Sequence, residues 1–337
     1  MPLNSLTTAI AAAAGVLLLA GCSSPASGPA ASPGSGSDAA FPVTIEHAFG
    51  QTVIEEKPVK VVTLGWGSAD AAIAMGVVPV AIPFQSYGGD SDGVLPWIRE
   101  AVDDLGADLP AVLPNSADEP PYEEIAAADP DVIIAAYSGI TEEQYQLLTQ
   151  IAPTVAYPGE AWSTPWRDVV RITAEALGTQ SAGEEVLADI DAQIAAQSEA
   201  HPEFAGQSIA AVWDVAGTFY VYKDADPRVE FLLDLGFVSA PSVDELANGD
   251  ETFYYTLSYE QLDKLSADVV LSYSDTQEEA DAFVASSYGK AIPAVAAGNV
   301  AAVVGTQYIA AVSPPTALSL PWGLEELVAA LAVATAE

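Results

Sequence analysis

The sequence predicts an α/β protein: two Rossmann-like lobes with parallel-rich sheets, joined by a long helix, with a cleft between the lobes. Three observations predict it. Apolar strand-like runs alternate with helical stretches on both sides of the chain's middle, the pattern of parallel sheets covered by helices. The middle itself is mainly helical. One helix-then-strand phrase also occurs twice, as YEEIAAADPDVII (Tyr122 to Ile134) and YEQLDKLSADVVL (Tyr259 to Leu271). Such a repeat assigns equivalent units to equivalent places in two lobes.

The elements follow in order. Residues 1–21 read as a signal peptide whose apolar segment is too short to span a membrane. It ends in LAGC, which looks like a bacterial lipobox with Cys22 as the lipidated residue. No Lys or Arg precedes the apolar segment, so the natural start is expected upstream of Met1. Cys22 is the only cysteine, which leaves core packing without any intramolecular disulfide. Residues 22–40, rich in Ser, Gly, Pro and Ala, read as a tether reaching about 25 Å as a random coil.

Residues 41–164 form the predicted N-terminal lobe. VTIEHA and QTVIEE suggest a hairpin. VKVVTL is a continuous apolar run, as in a buried strand. GSADAAIAMG is a helix with Ser68 as N-cap and Gly76 as stop. VVPVAI is a strand, and LPWIREAVDDLG a helix that tolerates Pro96 in its first turn. YEEIAAA, DVIIAA, TEEQYQLLTQI and TVAY continue the alternation.

Residues 165–204 are the helical linker, with Val186, Ile190 and Ile194 four apart on the long inter-lobe helix and a stop at His201-Pro202. Residues 205–337 form the predicted C-terminal lobe. QSIAAVWD and GTFYVY are strands, and DPRVEFLLDLG is a helix. YEQLDKL is read as a helix, ADVVLSY as a strand, EEADAFVASS as a helix and NVAAVVG as a strand. An amphipathic helix, PWGLEELVAALAVATA, closes the lobe.

Composition removes several function classes. Nine Lys plus Arg stand against 47 Asp plus Glu, a formal net charge of −38. Nucleic-acid binding needs clustered cations to replace counterions, and docking on an anionic membrane needs the same. The two histidines, His47 and His201, sit in no metal-ligand or triad spacing. There is no GxSxG elbow and no phosphate-binding GxxxxGK[ST] loop. An enzyme is not expected, nor a resident cofactor or protein-bound metal. The pair Tyr254-Tyr255 offers phenolates to ferric ion, or else one ring packs and the other lies at a rim.

What the chain does carry is aromatic residues at strand ends, where parallel α/β sheets bind ligands. Trp66, Tyr137, Trp213 and Tyr273 stand at such ends, and Tyr87 follows the VVPVAI strand. Trp97 and Trp162 lie at a helix start and a loop nearby, with Ser68, Tyr220 and Trp322 as further candidates. Aromatic faces suit a bulky ligand that is partly apolar or cationic. Cations are scarce, so Arg228 and Arg167 are the candidate forks for a ligand oxygen. The competing reading pairs Arg228 with Asp224 or Asp226.

Taken together, HAFGQTVIEEKPVKVVTLGWGSADAAIAMGVVPVAI, the first phrase with its continuation to VAYP, DPRVEFLLDLGF, SYEQLDKLSADVVLSY and LSLPWGLEEL resemble the iron–siderophore substrate-binding lipoproteins of ATP-binding-cassette importers. These belong to a helical-hinge family that also includes cobalamin and haem binders. The resemblance runs from about Val43 to the C-terminus. It implies a ferric siderophore held between the lobes, a monomer anchored through Cys22 to the outer face of the cell membrane, and a transmembrane permease as partner. It also implies one permease-docking glutamate per lobe, which maps onto Glu123 and Glu260, with Glu124 as the neighbouring alternative. The other reading is that these glutamates only complement a helix N-terminus. Few cations and an acidic field favour a neutral or cationic complex such as a ferric trihydroxamate over an anionic catecholate. Two alternatives stay open: cobalamin or haem as ligand, and a ligand-sensing lipoprotein not coupled to transport.

Overall fold

The computed structural model describes residues 40–336 except 116–118, 250 and 252. The signal peptide, Cys22 and nearly all of the tether lie outside the described residues. A hairpin opens the body, β1 (Val43–His47) with β2 (Gly50–Ile54), antiparallel and buried on alternate residues. Next come β3 (Val61–Thr63), α1 (Ser68–Ala74), β4 (Ala81–Ile82), α2 (Pro96–Asp104) and β5 (Ala111–Val112). They are followed by α3 (Tyr122–Ala127), β6 (Val132–Ile134), α4 (Glu142–Leu148) and β7 (Thr154–Val155). The five strands form one wholly parallel sheet in the order β5-β4-β3-β6-β7.

The linker is two helices, α5 (Trp166–Leu177) and α6 (Gln180–Ala200). At 21 residues α6 is about 30 Å long. Its buried stripe is Gly183, Leu187, Ile190 and Ile194, so Leu187 takes the inward place expected of Val186.

The second lobe runs β8 (Ser208–Val215), β9 (Thr218–Tyr222), α7 (Pro227–Asp234), β10 (Val238–Ser239), α8 (Pro241–Leu246) and β11 (Tyr254–Leu257). After a 3-10 turn at Tyr259–Lys264 come β12 (Val269–Ser274), α9 (Gln277–Ala285), α10 (Pro293–Ala297) and β13 (Val300–Val304). The terminal helices are α11 (Thr306–Val312) and α12 (Ser319–Thr335). Its sheet is mixed, in the order β11-β9-β8-β12-β13 with β10 also on β8. Strands β8, β12 and β13 are parallel, whereas β9 and β11 are antiparallel additions.

The continuous apolar runs are strands buried on both faces. In the first lobe Val61, Val132 and Ile134 point to one cluster while Val62 and Ile133 point to another. A third cluster crosses between lobes, from Ile73, Trp97 and Ile98 through Leu187 and Ile190 to Leu271, Leu320 and Leu324. Packing of this kind resists free rotation of one lobe against the other.

The repeated phrase does the same structural work in each lobe at one residue. Asp131 accepts from the Val59 and Lys60 amides (2.8 and 2.9 Å), at the entry to β3. Asp268, its counterpart, accepts from the Ser208 amide and hydroxyl (2.8 and 2.7 Å), at the entry to β8. These bonds hold both carboxyls below the ordinary aspartate range.

Candidate ligand cleft

In the first sheet the chain winds outward from β3 through β4 to β5, then restarts on the other side at β6. That reversal leaves a crevice beyond the carboxyl ends of β3 and β6, where such sheets bind ligands. Beyond β3, Gly65 has φ +75°, and a Cβ there would lie 2.2 Å from the Tyr137 carbonyl oxygen. Only glycine allows that approach, and the Trp66 amide bonds the same Tyr137 carbonyl at 2.9 Å. The Trp66 indole then donates to the Pro314 carbonyl of the second lobe at 3.0 Å.

Beyond β6, Trp162 stands against Gly139, where a Cβ would meet the indole nitrogen at 2.2 Å. Trp162 has a positive φ of 58° and is 46% exposed. A strained, solvent-facing aromatic is the kind of feature found at ligand clamps. Its ring packs edge-on against Tyr137 at 5.6 Å between centroids.

These residues wall two neighbouring cavities. One, of about 460 Å³, lies on the first lobe and is lined by Trp66, Phe84, Gln85, Glu119, Ser138, Gln144 and Trp162, among others. The other, of about 210 Å³, lies between the lobes, with Tyr137, Trp162 and Ser163 on one side and Asp226, Pro227, Arg228 and Phe253 on the other. Trp162 is the shared wall. Phe253, Asn115 and Gln144 escape sequence reasoning because none follows a recognisable strand end; Phe253 is merely the neighbour of the adjacent tyrosines.

Arg228 is the cation of this cleft, and it is already partnered. Its Nη1 donates to Asp226 at 2.7 Å, its Nε to the Ser313 hydroxyl, and its guanidinium lies 4.3 Å from the centre of the Tyr222 ring. Asp226 is fully buried and caps α7 by accepting from the Arg228 amide at 2.8 Å. Burial pushes the Asp226 carboxyl up, and the Arg228 charge opposes that shift. The choice between Asp224 and Asp226 therefore falls on Asp226. Burial also pushes the phenols of Tyr137 and Tyr222 up to about 12, against the pull of Arg228. At neutral pH both rings are neutral phenols, and of the two it is Tyr137 that lines the cavity between the lobes.

The other predicted residues are placed elsewhere. Ser68, Trp97 and Tyr273 are buried in the core. Gly67, not Ser68, is the N-cap of α1, and the Ser68 hydroxyl has no hydrogen-bond partner among the described residues. Trp97 donates to Asp70 at 2.7 Å, and Asp70 also accepts from Thr316 of the second lobe at 2.5 Å. Tyr273 is the inward residue at the end of β12 because the shared core closes over that strand end.

Arg167 is spent at the linker, where its guanidinium donates to Asp191 of α6 and to Glu230 and Asp234 of α7 (2.7 to 2.9 Å). Trp322 packs on Trp97 and Tyr308 where α12 meets α2. Tyr87 and Trp213 meet at the lobe boundary, 6.2 Å between centroids, and Tyr220 pairs with Tyr254 at 5.5 Å. Of the adjacent tyrosines, Tyr255 is buried and Tyr254 half-buried, as strand alternation requires. Among the described residues, no group of three His, Cys, Asp or Glu side chains could hold a metal ion.

Glu123 is exposed in the first turn of α3, and Glu260 is exposed in the 3-10 turn before β12. Each element precedes a parallel strand and so begins near the carboxyl edge of its sheet, the edge that carries the cleft.

Two α/β lobes bridged by helices, with an aromatic cavity between them at the strand ends, define a two-lobed solute-binding protein. The chain belongs to the periplasmic binding protein family, whose profile matches residues 61–303. Among curated proteins it is 28% identical to the probable siderophore-binding lipoprotein YfiY of Bacillus subtilis, over 76% of this chain and 78% of that one. Among solved structures it resembles PiaA of Streptococcus pneumoniae in complex with ferrichrome, with 35% identity and a TM-score of 0.77 over 87% of this chain and 98% of the other. SirA of Staphylococcus aureus complexed with staphyloferrin B is 26% identical, with a TM-score of 0.61 over 77% of this chain and 88% of the other.

Proposed function

We propose that this protein captures a ferric siderophore outside the cytoplasm and delivers it to the permease of an ATP-binding-cassette importer. The observation that carries the reading is a bulky aromatic cleft whose one arginine is neutralised by Asp226. Trp66, Trp162, Tyr137 and Phe253 offer faces to an apolar periphery, and Arg228 retains N–H groups to orient a ligand oxygen. With no net positive charge at the arginine and an acidic surface around it, the preferred cargo is a neutral or cationic ferric complex of the trihydroxamate kind. YfiY and PiaA support this reading by their names and by the ferrichrome bound to PiaA. The protein binds its cargo without transforming it and needs no resident cofactor. It works as a monomer, tethered through a lipid on Cys22 to the outer face of the membrane. Glu123 and Glu260 are its handles for the permease. An exposed ion pair contributes little by itself, but one on each lobe steers and orients a partner.

Tryptophan-fluorescence titration tests the ligand class. Ferrioxamine B should quench with an affinity about tenfold or more above that of a ferric tris-catecholate, because an anionic complex meets like charge and no free cation. Tighter binding of the catecholate would overturn the assignment.

A further inference from the structure

Three features of the second lobe converge on Asp214, a residue with no part in the cleft linings described above. The first is the 3-10 turn at Tyr259–Lys264. Its three-residue period sets Tyr259, Leu262 and Leu265 on one side, with both leucines fully buried. Glu260, Gln261, Asp263 and Lys264 are left exposed. The second is the way Tyr259 is held. Its hydroxyl donates to one Asp214 carboxylate oxygen at 2.6 Å, and the Tyr288 hydroxyl donates to the other at 2.8 Å. The two rings meet edge to face at 4.9 Å. The third is the position of Asp214 on β8, next to Trp213. Successive residues of a strand point to opposite faces. Trp213 thus meets Tyr87 of the first lobe on one face, while Asp214 holds the turn on the other.

A 3-10 turn is held by few and poorly aligned backbone bonds, so side-chain anchors decide its orientation. Here Leu262 and Leu265 anchor its far end, and the two tyrosine hydroxyls on Asp214 anchor its near end, at the residue immediately before Glu260. Burial, with help from Asp214, pushes the Tyr259 phenol up to about 12, so it remains a donor across the physiological range.

We propose that Asp214 is a positioning residue for the permease-docking surface, fixing through Tyr259 and Tyr288 the direction in which Glu260 projects. The proposal rests on the docking reading of Glu260 and adds what orients that side chain. Because Asp214 sits on the same strand as Trp213, the turn is referenced to the strand that meets the opposite lobe.

The test uses the full-length protein with Tyr259→Phe and Tyr288→Phe combined, which keeps both rings and removes both hydroxyls. Amide hydrogen exchange across residues 259–264 should rise about tenfold, while β8 and β12 keep their protection. Unchanged exchange across the turn overturns the proposal, whatever the ligand. Ferrioxamine B affinity, read by tryptophan quenching, should stay within about twofold, while radioiron uptake from ferrioxamine B in the native host falls about tenfold. Asp214→Asn keeps an acceptor and should retain most uptake, whereas Asp214→Ala should not. Parental uptake in the double tyrosine variant, with Glu260→Ala impaired, overturns the positioning role alone. Parental uptake in Glu260→Ala overturns the docking reading and the inference with it.

Discussion

Tyr122 and Tyr259 open the same phrase in the two lobes, yet one starts a six-residue α-helix and the other a 3-10 turn. The buried positions correspond: Ile125 and Leu262 are both fully buried, three residues after the tyrosine. The copies part company at the next step. Ala128, the C-cap of α3, is only half-buried, and Asp129 after it takes a φ of +50°. Leu265, in the matching place, is fully buried and extended, which draws the chain into the core and suits the tighter winding. The tyrosines differ as well: Asp214 accepts from the Tyr259 hydroxyl, and among the described residues no such bond ties down the Tyr122 hydroxyl. A shared pattern therefore specifies where a segment is buried; the neighbours of that segment specify how it winds and how firmly it is held.

The largest expected effect tests whether this asymmetry extends to the cleft. Arg228→Ala leaves Asp226 buried without its partner and should cost about 3–5 kcal/mol of stability. Trp162→Ala, on the first lobe's exposed rim, should cost less than about 1 kcal/mol while weakening ligand binding. Chemical denaturation of both variants, alongside fluorescence titration, compares the two walls; equal losses of stability would erase the distinction drawn between them.

A smaller effect sharpens the comparison of the phrases themselves. Tyr259→Phe removes a hydrogen bond to a carboxylate and should cost about 1–2 kcal/mol, whereas Tyr122→Phe should stay within about 0.5 kcal/mol. If denaturation midpoints move equally, the second tyrosine is no better held than the first.

The smallest effect addresses what the lobes share. The folded-state pKa values of Asp131 and Asp268 are depressed, so each adds stability above the ordinary carboxylate value of about 4 and loses it as the pH falls through the lower folded value. Asp131→Asn and Asp268→Asn should each flatten the acid limb of a melting-temperature profile by a similar small amount. A change confined to one lobe would show that the two aspartates are not equivalent.

Much of the architecture was legible in the residues. Runs such as VVT and VVLSY are too apolar to be anything but buried strands, and the alternation around them implies helices on both faces. The phrase predicted a unit in each lobe and exposed Glu123 and Glu260. Aromatic identity was a poorer guide. Trp97 and Trp162 both stand close to the cleft in sequence terms, but one is sealed in the inter-lobe core and the other turns outward on a strained backbone. Nothing local separates them.

The sequence by itself determined a two-lobed α/β body with a parallel-rich sheet in each half, because burial periodicity is a local property of side chains. Only the tertiary structure decided that Arg167 holds the linker rather than a ligand, that Asp226 neutralises Arg228, and that Asp214 anchors the turn bearing Glu260. Those outcomes depend on which charges and hydroxyls meet across elements distant in the chain. A hydrogen bond is made by atoms within about 3 Å in space, a distance that spacing along the sequence does not encode.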